Sequence, residues 1–167
     1  RTILFIGFAG EEFGLLGAQA WVKAHKDKLP KIANLFNRDG GPEPPVGISV
    51  PQAMYDDFVK ISEPIQKIRP DYPFEVKVRE PRKRPTRMGG TDASVFAIEG
   101  VPTLGFTTED FKGYDFDYGE IWHTERDLYT KNIPEYQEHT ATVTAIIALG
   151  VANLDKQLSR EGLYTEE

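Results

Sequence analysis

The chain has 167 residues, 40% of them hydrophobic and 28% charged, which is the balance of one globular domain with a sizeable core. A formal net charge of −6 argues against nucleic acid as a partner, and no apolar run is long enough to span a bilayer. The absence of cysteine excludes disulfides, thiolate catalysis and cysteine-ligated metal sites.

The chain opens on Arg1 rather than Met, and a strand-like run follows at once, so the lack of a signal peptide carries no weight. Residues 2–9 (TILFIGFA) form a nearly continuous apolar run, which predicts a strand buried on both faces, as in a parallel sheet. After Gly14 the spacing of Leu15, Ala18, Trp21 and Val22 predicts a helix. Residues 32–36 predict a second strand, and Gly40, Gly41, Pro42, Pro44 and Pro45 mark a loop. A helix is predicted over 52–68, with Pro64 as a kink or break. Residues 74–78 alternate as a strand, and a basic loop with Arg79, Arg82, Lys83, Arg84 and Arg87 follows. A short helix over 92–98, a strand over 101–106, an aromatic loop over 111–122 and a long helix over 135–158 complete the order. Residues 1–158 form the domain portion, and 159–167 read as a polar, frayed tail. Alternating strands and helices predict an α/β fold, a mostly parallel sheet with helices on both faces. Ligands in such folds bind at the C-terminal ends of the strands.

That rule gathers the candidates. Glu11 and Glu12 follow the first predicted strand, Asp39 follows the second, and Asp92 and His123 end irregular segments. Carboxylates and an imidazole on one rim suit a hard-to-borderline cation, with zinc the first candidate. Adjacent glutamates in a turn point in different directions, so one can hold metal while its neighbour handles a proton. Each residue also has a plainer use. A Glu-Glu pair is often solvated surface, Asp39 suits a turn, Asp92 suits a helix cap, and His123 suits packing. His25 and His139 lie in predicted helices and read as packing residues, and the basic loop reads as solvated.

Four segments in order carry a resemblance: RTILFIGFAGEEFGLLGAQAWV, FNRDGG, GGTDASVFAIEGVPTLGF and WHTERDLYTKN. Together they resemble the zinc-dependent exopeptidase family of bacterial leucyl aminopeptidases, carboxypeptidase Q and glutamate carboxypeptidase. The resemblance implies that Glu11 is the general base, that Glu12 is a zinc ligand, and that Asp39 and His123 bind different zinc ions of a pair. It implies that Asp92 sits behind the metal site, orienting the catalytic glutamate. It further implies a peptide substrate, with an aminopeptidase more expected than a carboxypeptidase, and a secreted or periplasmic setting. Phe116, Tyr118 and Trp122 are expected to line the substrate pocket, and the basic loop is expected across the same rim.

The family also uses a histidine and a bridging aspartate upstream of the Glu-Glu strand, which this chain does not contain. The chain by itself is therefore expected to bind zinc weakly or not at all and to be inactive. Unpaired sheet edges are expected to favour self-association. Ala93 stands where many relatives have histidine. Two rivals share the fold: a single-zinc glutaminyl cyclase-like acyltransferase, and a non-catalytic binding module such as that of the transferrin receptor. Asn37-x-Asp39 favours the two-zinc peptidase over the first, and the retained Glu11, Glu12, Asp39 and His123 favour an enzyme over the second.

Overall fold

The middle strand of the sheet lies where the sequence reading placed no element. Residues Pro45–Val50 form β1, between the proline-rich loop and the next helix. Pro44, Pro45 and Gly47 masked the apolar positions Val46, Ile48 and Val50. Gly47 has a local reason, because a Cβ there would press on the backbone of Glu75 in the neighbouring strand. The computed structural model describes residues 1–165. In it, β1 is flanked by β2 (Glu75–Val78), which runs parallel to it, and β3 (Phe106–Thr108), which runs antiparallel.

Five helices surround this sheet in chain order: α1 (Leu16–Ala24), α2 (Tyr55–Ile68), α3 (Ala93–Ile98), α4 (Tyr118–Ile121) and α5 (Pro134–Asn153). The long apolar periodicities explain α2 and α5. Phe58, Ile61 and Ile65 of α2 pack with Val143, Ile147 and Val151 of α5 over Ile48 and Val50 of β1. A proline inside a helix removes one backbone donor, yet α2 runs through Pro64 without a break. A second apolar cluster joins Ala18 and Val22 of α1 to Val95 and Phe96 of α3. Residues 32–36 run between the two clusters. Ala33 and Phe36 pack on the first, and Ile32 and Leu35 on the second. Helices therefore cover both sides of an extended layer, as an α/β fold requires.

Five sequence expectations are corrected. Residues 2–9 pair with no strand among the described residues, and Phe5 is 96% exposed. A strand needs a hydrogen-bonding neighbour, and apolarity alone does not supply one. Residues 32–36 are extended without a regular ladder. Leu35 donates its amide to the Pro102 carbonyl at 2.9 Å, while the Asn34 amide side chain bridges both backbone groups of Leu104. That side-chain substitution explains why 101–104 also fails to form a strand, and β3 starts only at Phe106. The last helix stops at Asn153 rather than 158. Beyond it, the polar segment folds back instead of fraying. Leu158 and Leu163 are buried in the first cluster. The Arg160 guanidinium donates to the carbonyls of Gly100, Leu29, Pro30 and Ile32. Only its last two positions, 166 and 167, lie outside the described residues. No helix among the described residues is long and apolar enough to cross a membrane.

Candidate active site

A tight turn presents the two glutamates. Gly10 and Gly14 take positive φ values of 69° and 104°, a conformation open to glycine. The Glu11 carbonyl accepts from the amides of Gly14 and Leu15, at 3.0 and 2.8 Å. The Gly17 amide reaches back to the Ala9 carbonyl at 2.8 Å, and a Cβ at Gly17 would lie 2.6 Å from the Ala9 backbone. Glycines at 10, 14 and 17 thus fold the chain back on itself and leave Glu11 and Glu12 at the mouth of an open cavity.

Two further connections end at that cavity. The Arg38 guanidinium donates to the carbonyls of Gly41 and Glu43, which curls the loop that carries Asp39. Helix α4 is capped by the Asp117 carboxylate, which accepts from the Gly119 amide at 2.8 Å. It delivers Tyr118, Trp122 and His123. His123 itself has φ 56°, an uncommon backbone state for a residue with a side chain and one often found at functional sites. Glu11, Glu12, Asp39, Tyr118, Trp122 and His123 all line one cavity of about 1500 Å³.

Electrostatics couple these groups. His123 Nε2 lies 3.0 Å from Glu12 Oε1, although 111 residues separate them. The Glu11 carboxyl is raised above its ordinary value, first by partial burial, then by the nearby charges of Asp39, Glu12 and Asp92; His123 opposes this. Asp92 is 8% exposed and precedes α3, but its side chain makes no cap hydrogen bond. Its Oδ1 is buried with no partner. Burial and then Asp39 raise its carboxyl as well. Its use as a helix cap is thereby set aside, and a buried carboxylate behind the cavity is what remains.

These carboxylates and the imidazole are donors of the kind zinc takes. A carboxylate and an imidazole 3.0 Å apart suit two ligands of one ion, and mutual repulsion at Glu11 is the field a cation relieves. Among the described residues, no three candidate ligands are close enough to form a complete metal cluster.

Two expectations about the rim are corrected. Phe116 does not line the cavity. Its ring lies against Gly41, where a Cβ would meet it at 2.6 Å. The first half of the aromatic loop turns away as well, anchored by Tyr114 and Lys112 to Glu135 at the start of α5. The basic loop is also elsewhere: Arg79, Arg82 and Lys83 line a different cavity. His25 and His139 are packing residues, as expected. His25 stacks on Trp21, and buried His139 stacks on Tyr72 and contacts the Pro45 carbonyl through Nε2. The sequence reading missed Asn132 and Thr140 of the cavity wall. Asn132 Oδ1 and Thr140 Oγ1 are buried without partners. Thr140 continues the apolar face of α5, so its spacing pointed to the core; nothing in the sequence pointed to Asn132.

Known proteins resemble this chain along most of its length. Carboxypeptidase Q of Mus musculus is 23% identical over 165 residues, covering 96% of this chain and 31% of its own length. Carboxypeptidase Q of Rattus norvegicus is 22% identical over the same length and shares. The chain thus spans less than a third of these relatives. A crystal structure of a peptidase M28 precursor from Shewanella amazonensis SB2B superposes with a TM-score of 0.66 at 24% identity, over 91% of this chain and 31% of that one. The sequence profile of peptidase family M28 matches residues 1–147, and the chain belongs to that family.

Proposed function

We propose that the protein containing this chain is a zinc-dependent exopeptidase, and that this chain carries the later part of its active site. The observation that carries the reading is the meeting of Glu12 and His123 at 3.0 Å, on a cavity that Glu11 and Asp39 also line. Glu12 and His123 would hold one zinc ion and Asp39 the other, with the remaining ligands supplied from outside this chain. Zinc, when bound, polarises the scissile carbonyl and acidifies the attacking water. Glu11 accepts the proton of that water and passes it to the leaving amine. A raised carboxyl suits a group that must both take and return a proton. Asp92 positions Glu11 and keeps its proton affinity high.

The rim favours an aminopeptidase. Its carboxylates Glu11, Glu12, Asp39 and Asp127 suit a substrate's free amino group. The two cations on the same wall are already engaged: Arg38 by the Gly41 and Glu43 carbonyls, Lys131 by Glu120. The basic loop that would receive a substrate carboxylate lines another cavity. Tyr118 and Trp122 offer flat apolar walls for a substrate side chain.

The test uses the full-length protein, an aminoacyl substrate, a carboxyl-terminal peptide substrate and an N-terminal glutaminyl peptide. Aminoacyl hydrolysis is expected, lost on removing zinc and restored by adding it. Glu11→Gln is expected to lower kcat by at least about 10²-fold with zinc content unchanged. Cyclisation of the glutaminyl peptide without hydrolysis would instead favour the cyclase-like rival. Zinc-free protein that never hydrolyses peptides would favour a binding module.

A further inference from the structure

The second cavity, about 570 Å³, lies between the basic loop, α3 and β3. Its lining is cationic. Among the described residues, Arg79, Arg82 and Lys83 contribute to it, and no aspartate or glutamate does. That is a local inversion in a chain with 26 acidic and 20 basic residues. Among the described residues, no carboxylate forms an ion pair with Arg79, Arg82 or Lys83. Cations gathered without counter-charge repel one another. Arg79 is duly lowered, by burial first and then by Arg82.

The loop is held rather than loose. Arg79 donates its amide to the Val50 carbonyl at 2.8 Å. The Thr165 amide donates to the Arg82 carbonyl at 2.9 Å, and the Arg82 amide to the Leu163 carbonyl at 3.4 Å. The Arg79 guanidinium is fixed by the carbonyls of Glu80 and Leu163. The same lining includes the hydroxyl-bearing residues Ser49, Ser94, Thr103 and Thr107 and the apolar residues Leu104, Phe106 and Leu163. A cavity of this size is on the scale that holds a small organic ligand, roughly 300–1,000 Å³.

We propose that this cavity is a binding site for a small organic phosphate. Guanidinium forks pair with two phosphate oxygens at once, hydroxyls supply further donors, and the apolar residues take the organic body. Arg79, held by two carbonyls, contributes charge, and exposed Arg82 and Lys83 supply the contacts; a doubly charged phosphate answers this set better than one carboxylate does. The cavity shares no lining residue with the active-site cavity, and α3 begins between them. The site therefore stands or falls apart from the peptidase reading.

The probes are phenyl phosphate, inorganic phosphate and benzoate, titrated calorimetrically into the metal-free full-length protein. Saturable one-site binding is expected, strongest for phenyl phosphate and weakest for benzoate. R82Q/K83Q is expected to weaken phenyl phosphate about tenfold or more. Both side chains are exposed, so the fold should persist, which circular dichroism checks. Glu12→Gln is expected to leave this binding unchanged, which separates the site from any phosphate held at the zinc centre. Lys83→Gln alone gives the same reading if the double variant unfolds. Equal binding of benzoate, no saturation by about 10 mM, binding indifferent to R82Q/K83Q, or binding lost in Glu12→Gln each overturns the proposal.

Discussion

Asp92 stands at the start of a helix yet caps nothing, and its charge falls instead on Glu11. Replacing it with asparagine removes one of the repulsions that hold the Glu11 carboxyl up. Glu11 in Asp92→Asn should titrate at lower pH than in the parent, by carbon-detected NMR of the side-chain carboxyl. An unmoved titration would mean that Asp92 does not act through Glu11. The sign also bears on stability. A raised carboxyl favours the folded state below the unfolded value and loses that contribution as pH rises through the folded one. Removing Asp92 should therefore make stability less sensitive to pH near the Glu11 titration. The aromatic residues separate by position. Trp122 lines the candidate active-site cavity and Phe116 lies on Gly41. In the full-length protein, Trp122→Ala should shift side-chain preference about tenfold or more, and Phe116→Ala should leave it within about twofold. Equal effects would refute that division. Glu11, Glu12, Asp39 and His123 line one cavity, as their places after apolar runs suggested, although neither the 2–9 run nor the 32–36 run forms a strand. Asn132 and Thr140 were not, because a lone amide and a threonine on an apolar helix face carry no signal of the cavity beside them.

Helices were more legible than strands, for a physical reason. The apolar faces of α2 and α5 repeat within each helix, so local spacing reveals them. Strand pairing is set by distant neighbours. Residues 2–9 have the composition of a strand and no partner, whereas Pro45–Val50 has weak composition and two partners. The contact between α2 and α5 rests on Gly150, where a Cβ would collide with Ile61. Ile61 is branched at Cβ and has little rotameric freedom to yield. Gly150→Ala gains helix propensity of up to about 1 kcal/mol, but overpacking costs about 1–3 kcal/mol. A net loss is expected in urea unfolding; a net gain would show that the helices simply move apart. The start of α5 makes a second prediction. Lys112, Tyr114 and Tyr72 all hydrogen-bond Glu135 and hold its carboxyl down at about 2. A depressed carboxyl stabilises above its unfolded value, near 4.5, and that contribution fades as pH falls toward about 2. Glu135→Gln should thus lower Tm at pH 7 and narrow the gap to the parent as the pH approaches 2. A constant gap would remove Glu135 from the account of acid unfolding.

At the scale of the whole molecule, the two apolar clusters are closed by parts of the chain far apart in sequence. One surface stays open. Leu4 is 65% and Phe5 96% exposed, on an extended segment with unpaired backbone groups. Such a segment invites pairing with another chain. Light scattering of this chain alone should show association that rises with concentration, and Phe5→Lys should suppress it. Monodisperse behaviour in both would mean that the segment finds cover of its own. At the other end, Arg160 ties together the carbonyls at 29, 30, 32 and 100, more than 120 residues from the first three. During synthesis this guanidinium emerges well over 100 residues after the first three carbonyls it binds. Until it arrives, the half of the molecule built on α1 and α3 must wait, assembled but unlatched.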